Sequence, residues 1–123
     1  MPAVAKKDGS SSVTCSDGSQ GGVCATKPTR YNWNAESTQS SDVGSADVFV
    51  ENIGVVRDGD AMISHPDGDP CVQSPSNHSP TLSTFSPNVF ANNKQIARIG
   101  DKYNNGTAFD HTISTGASTV FAN

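Results

Sequence analysis

Ser86-Pro87-Asn88-Val89-Phe90-Ala91-Asn92-Asn93-Lys94-Gln95-Ile96-Ala97-Arg98-Ile99-Gly100-Asp101 decides the fold, because the chain contains this stretch more than once. It lies without a gap over Ser45-Ala46-Asp47-Val48-Phe49-Val50-Glu51-Asn52-Ile53-Gly54-Val55-Val56-Arg57-Asp58-Gly59-Asp60, with seven of sixteen positions identical. Self-similarity on this scale marks a repeated supersecondary unit. In each copy two β-branched or aromatic runs flank a short polar stretch, which reads as a β-hairpin. Asn52 and the Asn92-Asn93 pair tolerate the left-handed backbone that tight hairpin turns require. Gly59 and Gly100 then let the chain leave the strand sharply before an acidic residue.

A third copy is split between the two ends of the sequence. Ala117-Ser118-Thr119-Val120-Phe121-Ala122-Asn123 matches the first half of the module, and Pro2-Ala3-Val4-Ala5-Lys6-Lys7-Asp8 fits the second half. In that reading Asp8 is in register with Asp60 and Asp101, Ala5 stands where the others have Arg, and Lys7 where they have Gly. The two ends are expected to lie side by side and complete a hairpin between them. Three equivalent hairpins imply a pseudo-threefold axis.

Composition bounds the rest. One domain is expected from 123 residues. Leu, Ile, Val and Phe together make up twenty-two of them, with a single leucine, Leu82. That is below the usual content of a self-sufficient core. The net charge of −4 is too mild for plain disorder. A chain this polar that still folds is expected to need a staple: a disulfide, a metal or a partner. Two glutamates, one leucine and eleven glycines leave little from which to build a helix. The eight Lys and Arg are scattered singly, so no basic stripe exists for nucleic acid. No apolar run is long enough to span a bilayer and no secretory leader is apparent. Synthesis in a cytoplasm is expected, with export through a larger machine.

Long connections join the modules, from Asp8 to Val48, Asp60 to Val89 and Asp101 to Val120. They read as loops without helix or strand, and loops of that kind are functional or held by something. All three histidines fall there: His65 and His78 in the second connection, His111 in the third. So do all three cysteines, Cys15 and Cys24 in the first and Cys71 in the second. Modules arranged about one axis would bring these loops together on one side. Three imidazoles and at least one thiolate then suit tetrahedral zinc, with iron second. Cys71 also fits a buried free thiol, and Cys15 with Cys24 a disulfide.

Other motifs carry less. Asp58-Gly59-Asp60 and Asp67-Gly68-Asp69 do not continue into a calcium loop and read as turns. Asn77-His78-Ser79 and Asn105-Gly106-Thr107 match a glycosylation pattern that matters only in secretion. Trp33 with Tyr31 reads as a small satellite cluster. There is no zinc-protease helix, nucleophile elbow or phosphate loop.

The repeated Ser-Pro-Asn-Val-Phe stretch, the Asn-rich turn, Gln95-Ile96-Ala97-Arg98 and Gly100-Asp101 together resemble the PAAR-repeat proteins, the tip proteins of contractile phage tails and type VI secretion spikes. The naming Pro-Ala-Ala-Arg stretch is degraded here to Gln95-Ile96-Ala97-Arg98, Gly54-Val55-Val56-Arg57 and Pro2-Ala3-Val4-Ala5, which looks like a divergent phage version. The resemblance covers nearly the whole chain and implies one tip domain over residues 1–123. It implies an all-β cone of three pseudo-threefold hairpin repeats, with long loops converging on a metal-bound apex. The implied ligands are His65, His78, His111 and Cys24, one structural ion in all, with Cys15 and Cys71 as alternatives to Cys24. The implied partner is a trimeric β-helical spike, one tip per trimer.

On that resemblance Val48, Phe49, Val89, Phe90, Val120 and Phe121 are expected to build the base against the spike, or its supporting core. The expected role is mechanical: a virion tail tip, assembled in the host cytoplasm, that caps and sharpens the spike and pierces the target envelope. It would need no nucleic acid or small-molecule substrate and would catalyse nothing. One rival is a receptor- or glycan-binding adhesin using Trp33 and Tyr31. Another is a metal hydrolase on the three histidines, for which Glu36 and Glu51 are the only glutamate bases.

Overall fold

Strands paired antiparallel make up the fold, and there is no helix among the described residues, 1–15, 38–66, 77–104 and 111–123 of a computed structural model. The strands are β1 (Ser12–Cys15), β2 (Thr38–Ser40), β3 (Phe49–Val50), β4 (Ile53–Gly54), β5 (His65–Pro66), β6 (Asn77–His78), β7 (Phe90–Ala91), β8 (Lys94–Gln95) and β9 (His111–Ile113).

β3 pairs with β4 and β7 with β8, as the repeat predicts. The turns are two residues long with both central residues left-handed: Glu51 and Asn52 at φ 51° and 66°, Asn92 and Asn93 at 53° and 63°. That is the mirror-image turn whose twist matches the flanking strands. The two ends of the chain pair in the same way. Ala3 bridges Phe121, Val4 N donates to Val120 O at 3.0 Å, and Ala122 N donates to Pro2 O at 3.0 Å.

The strands leaving these hairpins meet in a closed circuit. Ala5 N donates to Ala97 O (2.9 Å), Ala97 N to Val56 O (2.9 Å), and Val56 N to Ala5 O (3.1 Å). All three residues are buried, inside a core completed by Val13, Met62, Leu82, Tyr103 and Ile113. A second cluster of Val4, Val55, Ala91, Ile96 and Ala122 lies on the hairpin side.

The pairing corrects the register of the N-terminal segment. Lys6 bridges Val55, Arg57 bridges Ile96 and Arg98 bridges Val4, so Lys6 stands where the others have arginine. Asp8 is therefore not in the place of Asp60 and Asp101. Its side chain is largely exposed. The hydrogen bond of those aspartates is made instead by Ser11, whose Oγ accepts from Lys6 N at 2.8 Å. The Asp60 and Asp101 carboxylates accept from Arg57 N and Arg98 N at 2.8 and 2.7 Å. A hydroxyl can replace the carboxylate because no guanidinium has to be matched. Arg57 and Arg98 each fork onto their aspartate, through Nε at 2.9 Å and a terminal nitrogen at 3.2 and 3.1 Å. Gly59 and Gly100, at φ 82° and 93°, make the reversal that lets an i,i+3 pair meet in this way. Asp58-Gly59-Asp60 is thus a turn lock.

The connections are not devoid of strand, contrary to the expectation. β1, β2, β5, β6 and β9 all lie in them. Ser12 pairs with Ser40, Ser41 with Met62, and Ala61 with Thr81. Ser83 N donates to Lys102 O at 2.8 Å, Lys102 bridges Thr112, and Thr112 pairs with Thr14. The circle closes on itself, which leaves no free sheet edge along it. Its interior holds Val13, Ser41, Met62, Leu82, Tyr103 and Ile113, none more than 2% exposed.

Tyr103 contributes an oddity to that interior. Its hydroxyl is buried with no hydrogen-bond partner. Burial, with Asp60 and Asp42 nearby, pushes the phenol well above its usual range, so it stays neutral. A buried unpaired hydroxyl costs about 1–3 kcal/mol. Tyr103→Phe is therefore expected to stabilise the protein by about 1 kcal/mol, read as a raised urea midpoint at unchanged slope.

Glu51 gives a pH signature. Its carboxylate accepts from Thr119 N and Oγ, Ser118 N and Oγ, and Lys6 Nζ. The Thr119 hydroxyl and then Lys6 are the chief causes that hold its pKa at about 2, below an ordinary 4.5. A depressed carboxylate stabilises the fold above the unfolded pKa and loses that contribution as pH falls through the folded one. The melting-temperature gap between the native protein and Glu51→Gln is expected to be full at pH 6. It should narrow from about pH 4.5 downward and nearly close by about pH 2.

Candidate metal centre

Beyond the closed circle of strands, the three histidines come together. β5 and β6 form a short hairpin arm whose register sets His65 directly opposite His78. β9 supplies the third, its first residue His111 fixed by a hydrogen bond from its own amide to Asn104 Oδ1 at 2.8 Å. Tyr103 N donates to His111 O at 2.9 Å, which ties the start of β9 to the core. His65 and His111 are buried and His78 is partly so.

Their ring centroids lie 4.4, 5.1 and 5.2 Å apart with the planes steeply inclined, so the rings converge by their edges. His65 Nε2 is 2.8 Å from His78 Nε2 and 3.1 Å from His111 Nε2. One potential ligand atom from each residue falls within a common sphere, all within 4.8 Å of one another.

Proton bookkeeping makes this arrangement informative. His65 Nδ1 is 2.9 Å from the Ile63 carbonyl, which can only accept, so Nδ1 carries the proton. Neutral His65 in this tautomer has its ring lone pair at Nε2, the form a metal ligand needs, set by a backbone acceptor. An imidazole nitrogen has one in-plane site and makes one linear hydrogen bond, yet His65 Nε2 faces two nitrogens. With the Nδ1 proton donated to the Ile63 carbonyl, that single lone pair can take only one well-aligned N–H from its two neighbours. A cation accepts all three lone pairs at once. Nitrogens around tetrahedral zinc at 2.0–2.1 Å stand about 3.3 Å from one another, so the two His65 contacts would each open by a few tenths of an ångström around such an ion.

The three histidines read from the sequence are thus brought together and could hold a metal ion. Cys24 and Cys71 lie outside the described residues, as do Trp33, Tyr31, Glu36 and the Asp67-Gly68-Asp69 stretch. Cys15 closes β1, where its backbone stands opposite His111 in register. The Ile63 carbonyl and Asn104 were not foreseen as supports, since no local motif marks a backbone acceptor two residues before a ligand.

The six residues assigned to the base divide. Phe49, Phe90 and Phe121 are 56%, 58% and 49% exposed, and Val48 and Val120 are exposed as well. These five are therefore surface and not supporting core. Val89 is partly buried and packs on the hairpin-side cluster.

No protein-family model matches the chain, and no curated protein matches it.

Proposed function

We propose that this protein is a PAAR-like structural tip. One end caps a trimeric β-helical spike of a contractile tail, and the other end is pinned by a metal ion. The observation that carries the reading is a hydrogen bond made three times in the same way. Val55 N donates to Val48 O at 3.1 Å, Ile96 N to Val89 O at 3.0 Å, and Val4 N to Val120 O at 3.0 Å. Each is followed in the chain by an exposed phenylalanine: Phe49, Phe90 or Phe121. The Ala5, Val56 and Ala97 circuit behind them supports a pseudo-threefold axis. A single chain with internal threefold repetition matches a trimer's symmetry and covers the open strand edges in which a β-helix ends.

The histidines belong to the connections and not to these hairpins. A metal crosslink there would restrain loops with little apolar packing of their own, which suits a point that bears force against a target envelope. Zinc is favoured over iron on the three-imidazole donor set. A cysteine thiolate completes the set: Cys24 by resemblance, with Cys15 and Cys71 as the alternatives. The hydrolase reading fares worse. The carboxylate of Glu51, one of two glutamates in the chain, is committed to Lys6, Ser118 and Thr119 and is absent from the histidine group.

Co-expression with a trimeric β-helical spike protein of the same contractile tail tests the proposal. Native mass spectrometry should find three spike chains with one copy of this chain. Separate elution of the two proteins would contradict it.

A further inference from the structure

Glu51 sits in a conformation that its side chain does not favour. At φ 51° it is left-handed, and its counterpart in the second hairpin is Asn92, a residue type that enters this region readily. For a residue such as glutamate the left-handed region is disfavoured by crowding of Cβ against the backbone. What the side chain reaches from there accounts for the choice. Ser118 and Thr119 lead into the C-terminal strand, and Lys6 belongs to the N-terminal arm; Glu51 binds all three.

These two ends form the one hairpin of the three that has no turn of its own. Glu51-Asn52 closes the first and Asn92-Asn93 the second, whereas Pro2-Ala3-Val4 and Val120-Phe121-Ala122 meet only through space. An isolated two-stranded pairing is marginal in water, and without a turn the strand ends are not held at close range. Asn92, itself uncharged, makes a related clasp on the first hairpin, donating from Nδ2 to Asp47 Oδ1 at 2.7 Å and accepting at Oδ1 from Ser45 Oγ at 2.7 Å and Arg57 Nη1 at 2.8 Å. The carboxylate, with five donor groups around it, stands where the covalent turn is missing.

We infer that Glu51 is a latch that keeps the turnless terminal hairpin closed, so that its removal releases the C-terminal strand and Phe121 while the remainder stays folded. This stands whether or not that end of the molecule docks a partner. Residue-resolved amide exchange on the full chain tests it. In Glu51→Ala the Val4 and Ala122 amides, which donate across the terminal pairing, are expected to exchange at least tenfold faster. The amides of Ala97, Val56 and Met62 should be unchanged. Equal acceleration of all five would mean general destabilisation, and no acceleration would mean no latch; either overturns the inference. Glu51→Asn separates the latch from the turn, because it relieves the backbone and shortens the reach. It is expected to speed Val4 and Ala122 as well. Unchanged or slower exchange there would show Glu51 to be a turn residue and nothing more.

Discussion

Stripping metal from the purified protein with a chelator is expected to lower its melting temperature by more than about 10 °C, and readdition of zinc to restore it. Structural zinc contributes on the order of 10 kcal/mol where the site forms only with folding. The full amount is not expected, because the core around Met62, Leu82 and Tyr103 contains none of the histidine side chains. Even half of it is a large shift for a domain of this size. His65→Ala is the most informative variant, since its Nε2 faces both other rings. It should reduce bound metal from about one ion per chain to a trace and take the same stability with it. The chelator should then have no further effect on it. A protein that melts alike with and without chelator has no structural ion.

The second large effect concerns the apolar end. Phe49, Phe90 and Phe121 are each about half exposed. With some 150–250 Å² available on an aromatic side chain, together they offer roughly 300 Å² to a partner. At 25 cal/mol per Å² that is on the order of 7 kcal/mol before the cost of association. Replacing all three with serine is expected to weaken spike binding by more than about 100-fold, and any one alone by about 10-fold. Because these rings contribute little to the core, the melting temperature of the free triple variant should stay within a few degrees. Pull-down of the spike at full stoichiometry by the triple variant would exclude this face as the contact.

The hairpins were legible because the module repeats the residues that shape it. Asn52, Asn92 and Asn93 announce the turns, and Arg-x-Gly-Asp announces a lock that the Arg57–Asp60 and Arg98–Asp101 pairs realise. The N-terminal register was misread by one residue. Asp8 imitates the acid of the lock in sequence, while Ser11 performs its hydrogen bond from a position further along. The strands within the connections were not legible either. Val13, Leu82 and Ile113 are flanked only by Ser and Thr, Met62 is flanked by Ala61 and the exposed apolar Ile63, and one inward apolar residue per short strand gives no detectable alternation.

The histidine group was legible by residue type and by its place in the modules. Its tautomer was not, since that depends on a backbone carbonyl. Glu51 was weighed only as a possible base. Its partners Ser118 and Thr119 lie at the far end of the chain, where no local pattern points.

X-ray absorption at the metal edge of the purified protein tests the central claim most directly. The expected spectrum is that of zinc in a four-coordinate shell, with three imidazole nitrogens at about 2.0–2.1 Å and one sulfur at about 2.3 Å. Its imidazole signal should be lost in His65→Ala. A six-coordinate oxygen shell, or no metal in a folded protein, would contradict the account.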